Sequence, residues 1–183
     1  MSSIIRFASI AAALFSVGVL VSALPVAVNA TIQAPVGTDV VSRLCAKLVV
    51  EGQLEAHLKA LLLCVSIEDL KVKAAVVVEL LKACAQELLA IDAKVVVDAQ
   101  AQVSLVGCLV GIITLCVQVL VQVSLKFGLA VCADIDAVLR LLLVNINLCV
   151  DGILVLVAKA LASVTIGLLA QVNLKLCLGV LGL

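Results

Sequence analysis

Residues 100–126 read QAQVSLVGCLVGIITLCVQVLVQVSLK, and the pattern in this stretch decides the fold class. Small or polar residues recur every three or four positions, which is the period of an α-helix rather than of a strand. They are Gln100, Ser104, Gly107, Gly111, Thr114, Gln118, Gln122 and Lys126. The valines of 117–123 favour a strand by composition, but the helical period persists through the whole stretch. We therefore expect one long helix here.

The sequence before this stretch also has helical spacing. A polar ridge with a period of four predicts a first helix that begins at Thr38 or Asp39 and continues to about residue 65. Its members are Arg43, Lys47, Glu51, Glu55 and Lys59. Ser66 followed by Asp69 resembles a capping box and predicts that a second helix begins there and ends near Ile91.

A second polar stripe follows the first, in phase with a helix. Its members are Asp151, Lys159, Ser163, Gly167, Gln171 and Lys175. Gly128 is the expected break after the long helix, Asp134 the expected cap of the next one, and Asp151-Gly152 the expected start of the last one. These patterns predict an all-α protein, a bundle of five or six helices.

The eight cysteines divide into two sets of four with similar spacing. They are Cys45, Cys64, Cys84 and Cys108, then Cys116, Cys132, Cys149 and Cys177. The segment AQVSLVGCL at 101–109 also recurs as AQVNLKLCL at 170–178. We interpret the chain as a tandem duplication of a four-cysteine unit, with repeats at about 38–111 and 112–183. No Pro- or Gly-rich linker separates the repeats, so residues 31–183 are expected to form a single domain.

Residues 1–30 have the features of a secretory signal peptide. Arg6 is the only charge before Asp39, and an apolar run is followed by small residues. Cleavage is expected after Ala30, with Ala23 as the other candidate. The sequon at 29–31 would be destroyed by the cut after Ala30. Secretion predicts an extracellular or cell-wall protein in an oxidising environment.

In such an environment an even number of cysteines predicts disulfides, and we expect all eight cysteines to take part. Cys45 and Cys64 would lie at opposite ends of one helix, too far apart to pair. A hairpin of the first two helices would bring Cys45 close to Cys84, and the duplication then predicts Cys116 with Cys149. The other four cysteines would pair within the repeats, as Cys64–Cys108 and Cys132–Cys177, or across them.

The composition argues against several function classes. Formal net charge is zero and there is no Trp or Tyr, so neither phosphate attraction nor base stacking favours nucleic acid as a partner. Metal binding is not expected, because there is no Cys-x-x-Cys and His57 is the only histidine. No cofactor motif or catalytic constellation is present, since no serine lies in a Gly-x-Ser-x-Gly elbow. The sequence does not predict an enzyme.

What the composition favours is an apolar surface. The chain is 66% hydrophobic, and residues 104–183 carry only three acids and four bases. Narrow polar stripes leave apolar helix faces, on which we place Val119 and Leu156, to meet another copy, a lipid or an interface. We expect a surface-active structural protein that self-associates as a homo-oligomer or film. The alternatives are a lipid carrier with an apolar cavity and an integral membrane protein, since 103–125 is uncharged and long enough to span a bilayer.

Eight cysteines in a small, apolar, secreted chain resemble the fungal hydrophobins in number and character, but the Cys-Cys doublets of that family are absent. The plant non-specific lipid-transfer proteins are similar in the same general way, and their Cys-Cys and Cys-x-Cys are absent too. The chain also resembles secreted basidiomycete wall proteins that are not hydrophobins, in its signal, its size and its more hydrophobic second half. That resemblance implies a role at a hyphal wall or surface.

Overall fold

A computed structural model describes residues 27–91 and 94–183, and in these ranges the chain is all-α, without strands. These described ranges contain eight α-helices rather than the five or six that were expected. They are α1 (Val40–Val50), α2 (Leu54–Ala60), α3 (Ile67–Leu89), α4 (Ala99–Phe127), α5 (Ala130–Cys149), α6 (Ile153–Ala160), α7 (Ser163–Gln171) and α8 (Lys175–Leu181). A 3-10 turn, Leu61–Leu63, extends α2.

Helix α4 is the long helix that the stripe predicts, and it organises the fold. Its 29 residues correspond to a length of about 43 Å at 1.5 Å per residue. It contacts α1, α2, α5, α6 and α7, while α3 packs chiefly on α5, and α8 packs on α5 and α7. Leucine, isoleucine and valine side chains on its inner face, such as Leu105 and Leu120, are fully buried. The fold is therefore built around one central apolar helix.

Helix ends are where the local sequence predicts best. The Asp39 carboxylate accepts a hydrogen bond from the backbone N–H of Ser42 at 2.8 Å, and the Ser66 hydroxyl accepts one from Asp69 at 3.1 Å. Both predicted caps are confirmed. Helix α4 ends at Gly128, whose φ of 85° is a conformation that favours glycine. The predicted break at Gly128 is confirmed as well.

The predicted first helix is wrong in its extent, because it is interrupted between α1 and α2. The Gly52 N–H donates to the carbonyl of Lys47 at 2.9 Å, and Gln53 takes a left-handed conformation with φ of 47°. This hydrogen bond and the left-handed residue end α1, and α2 then starts in a new direction. Cys45 and Cys64 therefore do not lie on one continuous helix.

The chain after Gly128 also departs from the prediction. Helix α5 begins at Ala130, so Asp134 lies inside it and does not cap it. Gly152 does precede the helix that follows α5, but the expected last helix is divided into α6, α7 and α8. A bend of 98° separates α6 from α7, and Asn173 has a left-handed φ of 60° before α8. The second polar stripe is therefore spread over three short helices.

The structure does not support the tandem duplication. Residues 101–109 form straight helix inside α4, whereas the matching residues 170–178 cross the end of α7, the turn at Asn173 and the start of α8. The proposed boundary at 111/112 falls in the middle of α4. Buried residues from Ile32 to Leu181 instead belong to one hydrophobic core.

Candidate functional site

The eight cysteines do not form disulfides in this structure. All are free thiols and all are buried. Four of the sulfur atoms, those of Cys64, Cys84, Cys149 and Cys177, contact a backbone carbonyl oxygen. The Sγ of Cys149, for example, is 3.5 Å from the Leu88 carbonyl oxygen. The expected covalent framework is thus replaced by thiols that pack as small apolar side chains.

The hairpin prediction does place Cys45 beside Cys84. The interaction with Cys84, with burial as a second cause, raises the pKa of Cys45, and the same interaction lowers the pKa of Cys84. In the second half, the thiol that interacts electrostatically with Cys116 is that of Cys177. The expected partner, Cys149, contacts α3 instead.

Most of these thiols are poor nucleophiles. Burial raises the pKa of Cys108 and of Cys116 to about 12, and it also raises the pKa of Cys177. A thiol reacts as its thiolate, so a raised pKa suppresses oxidation and metal ligation alike. In the described ranges no three His, Cys, Asp or Glu side chains are grouped so that they could hold a metal ion. Cys108, Cys116 and Cys177 are therefore protected from reaction, whereas Cys84, whose pKa is lowered, is the exception.

The best candidate for a functional surface is an open groove of about 690 Å³ at the C-terminal end of α4. It is lined by Ala27, Val28, Leu61, Leu62, Gln122, Val123, Leu125, Lys126 and Phe127. The Lys126 ammonium donates to the Cys64 carbonyl oxygen at 2.5 Å and lies 4.9 Å from the centre of the Phe127 ring. The ammonium of Lys126 is thereby already hydrogen-bonded within the protein, and the groove surface beside it is apolar.

Exposed hydrophobic side chains continue this surface. The Lys126–Cys64 hydrogen bond brings the loop after α2 next to the end of α4. There Val65 is 84% exposed and Leu125 is 65% exposed, with Leu63 and Leu129 also exposed. We call these four residues and the groove the apolar end. A second groove, between α3 and α5, has four charged side chains on its lining, those of Lys71, Glu79, Lys82 and Asp134, whereas Lys126 is the charged residue that lines the first.

The prediction of exposed apolar residues from the sequence was only partly correct. Val119, assigned to an exposed face, is 0% exposed and belongs to the core, whereas Leu156 is exposed. The apolar end draws on residues from both halves of the chain, although the sequence pointed to the second half. Leu63 and Val65 were missed because the first helix was predicted to continue to about residue 65. In the structure Leu63 ends the 3-10 turn and Val65 lies in the loop after it.

Part of the polar stripe of α4, at Ser104, Gly111 and Gln118, contacts an extended segment, residues 27–37, which we call the strap. The Gln118 side-chain oxygen accepts from the backbone N–H groups of Asn29 at 3.2 Å and Ala30 at 3.0 Å, and its amide nitrogen donates to the Asn29 side-chain oxygen at 3.2 Å. Further along, the Ser104 hydroxyl accepts from Val36 N–H at 2.8 Å. These stripe residues therefore form the surface on which the strap packs.

Gly111 and the Glu55 carboxylate also contact the strap. A Cβ added at Gly111 would lie 3.0 Å from the Thr31 carbonyl oxygen, so the strap runs close to the α4 backbone. Glu55 on α2 accepts from Ile32 N–H at 2.9 Å, and this bond, together with Lys59, lowers the pKa of Glu55. The small residues of the stripe were the signal for this close approach, since small side chains let another segment pack against a helix.

Helix α4 is also long and apolar enough to cross a membrane. Of its most apolar 18 residues, 56% are buried inside the fold, which is equally typical of the core helix of a soluble protein. Helices α6 and α7 pass the same test only as a pair, and their 98° bend breaks the span. No family model, curated protein or solved structure matches this chain.

Proposed function

We propose that this is a secreted structural protein that self-associates through its apolar end, at a cell wall or at a boundary between water and an apolar phase. The observation that carries the proposal is the exposed cluster of Leu63, Val65, Leu125 and Leu129 beside an apolar groove. Burying apolar surface is favourable, and a contiguous exposed patch marks a contact with a partner or an interface. The partner would be a second copy of the chain or a hydrophobic surface.

The charge of the chain supports the same proposal. Formal net charge is zero, so copies of the chain do not repel one another as strongly charged proteins do. Among the described residues that line the groove, the cation is Lys126, and its ammonium is hydrogen-bonded to the Cys64 carbonyl oxygen. The expected signal at 1–30, which would deliver the protein to the outside, lies almost entirely outside the described residues.

A pair of lysine substitutions tests the role of the apolar end. We expect Leu125→Lys to reduce self-association at least several-fold, because a charge in the contact must be desolvated when two copies meet. Val96→Lys is the matched control, since Val96 is 94% exposed but precedes the opposite end of α4. Sedimentation velocity and surface-tension measurements on both variants give the comparison.

Circular dichroism should show unchanged helix content in both variants, because both positions are exposed. Equal association of Leu125→Lys, Val96→Lys and the unsubstituted protein would contradict the proposal. Loss of association in both variants would also contradict it, since the effect would then not be specific to the apolar end.

A lipid carrier is the second candidate, and the groove at the apolar end favours it. Its volume of about 690 Å³ falls within the range of about 300–1,000 Å³ that is usual for ligand sites. Its apolar lining, with Lys126 at one edge, suits an acyl chain with a polar head. The groove is open along one side, which favours a surface contact over full enclosure of a ligand.

Native mass spectrometry of protein purified without detergent separates the two candidates. A stoichiometric extra mass that organic solvent removes, on a monomer, would establish the carrier. A ligand-free series of oligomers would support the surface protein.

A further inference from the structure

We infer that the secreted chain is cut after Ala23 and not after Ala30, so that the whole strap is retained in the mature protein. The inference rests on the secretion that the proposed function assumes. The sequence alone offers both sites and favours Ala30 by its position. The contacts of residues 27–30 with the folded helices argue for the other site.

Gln118 is the first argument. All three of its hydrogen bonds described above go to Asn29 and Ala30. A cut after Ala30 would remove both residues and leave this half-buried side chain without the partners it has in the fold. A polar side chain in such a position is normally hydrogen-bonded.

The second argument is packing. Val28 and Ala30 are partly buried against the hydrophobic core, and Ala27 and Val28 form part of the wall of the groove. A chain that began at Thr31 would lose this wall. It would also place a charged amino group beside the position where the Thr31 carbonyl lies close to Gly111.

A cut after Ala23 keeps every one of these contacts. Ala23 ends the Val21-Ser22-Ala23 sequence, which has the small residues that a signal peptidase needs. The same cut retains the sequon Asn29-Ala30-Thr31 in the mature chain. Asn29 is exposed, and it is its side-chain oxygen, not the nitrogen that would carry a glycan, that accepts from Gln118.

The decisive measurement is the amino terminus of the full chain after secretion from a eukaryotic host. Protein from the medium is treated with an N-glycosidase, then analysed by intact mass and amino-terminal sequencing. We expect it to begin at Leu24. A secreted chain that begins at or before Ala27 supports retention of the strap, as does a glycan on Asn29, whereas a chain that begins at Thr31 overturns the inference.

Failure of the proposed function would look different. A chain that is secreted and begins at Leu24 but does not self-associate would overturn the surface role alone. A chain that stays inside the cell with residues 1–23 attached would overturn secretion and processing together.

A second experiment tests whether the retained residues are docked. In Gln118→Ala, the backbone amides of Asn29 and Ala30 should exchange hydrogen about tenfold faster or more, because their acceptor is lost. Gln100→Ala, an exposed glutamine on the same helix, is the control and should leave exchange unchanged. Equal exchange in both variants would contradict a docked strap, and the amino terminus of the unsubstituted protein decides the inference even if Gln118→Ala fails to fold.

Discussion

At the scale of single residues, Gly107 and Gly111 look equivalent in the sequence but have different roles in the structure. Both belong to the stripe of α4 and lie about one turn apart. An added Cβ at Gly107 would meet nothing within 4 Å, whereas at Gly111 it would lie 3.0 Å from the Thr31 carbonyl oxygen. Gly107 is therefore only a weak helix former, while Gly111 makes room for the strap.

This difference predicts opposite outcomes for the same substitution. Gly107→Ala should stabilise the protein by about 0.5–1 kcal/mol, because alanine loses less backbone entropy in a helix. Gly111→Ala should show little or none of this gain, since the new methyl group displaces the strap. Urea unfolding of the two variants measures the difference, and an equal gain at both positions would argue against the close approach of strap and helix.

At the scale of elements, the short helix α8 is held by a residue of another helix. The buried Asp136 carboxylate of α5 accepts from the backbone N–H groups of Leu176 and Cys177 in α8, each at 2.9 Å. These groups belong to the first turn of α8, whose N–H donors have no partners within the helix. Asp136 thus caps a helix forty residues later in the chain.

Removing this cap should be costly. Asp136→Ala leaves two N–H groups without their acceptor in a buried site, and we expect a loss of about 1–3 kcal/mol in the free energy of unfolding. The neighbouring Asp134 is exposed, so Asp134→Ala is the matched control and should change stability by less than about 0.5 kcal/mol. Chemical denaturation gives both values, and similar losses would show that Asp136 does not anchor α8.

The helices and their ends also show what sequence patterns can and cannot predict. The long helix α4 and the caps at Asp39 and Ser66 follow from nearby residues, so they were predictable. The division of the last helix was not, because no proline marks the breaks and the turn at Asn173 depends on packing. The role of Asp136 was not predictable either, because its partners, Leu176 and Cys177, are distant in sequence. The strap on α4 was missed for the same reason.

At the scale of the whole molecule, the buried thiols make a prediction about oxidation state. The structure holds all eight cysteines as free thiols inside the core, and raised pKa values at Cys108 and Cys116 suppress the thiolate that disulfide formation needs. If the protein is secreted as proposed, all eight thiols should therefore remain reduced in the folded chain. They are small apolar parts of the core rather than covalent links between helices.

Alkylation with a maleimide, read by mass spectrometry without reductant, checks this directly. The native protein should take up little label over minutes, because every cysteine is buried. After unfolding in guanidinium chloride the count should rise to eight. An unfolded chain that takes up no label would instead show four disulfides, and the oxidising environment would then have overcome the burial.

The strap has a consequence for the time course of synthesis. Asn29 and its partner Gln118 are 89 residues apart, and a ribosome adds about 5–20 residues per second, so roughly 4–18 s pass before the partner exists. The helices α1, α2 and α3 can form during this interval, while the strap has no helix on which to dock. The strap is therefore made first but docks late, after most of the fold has been translated.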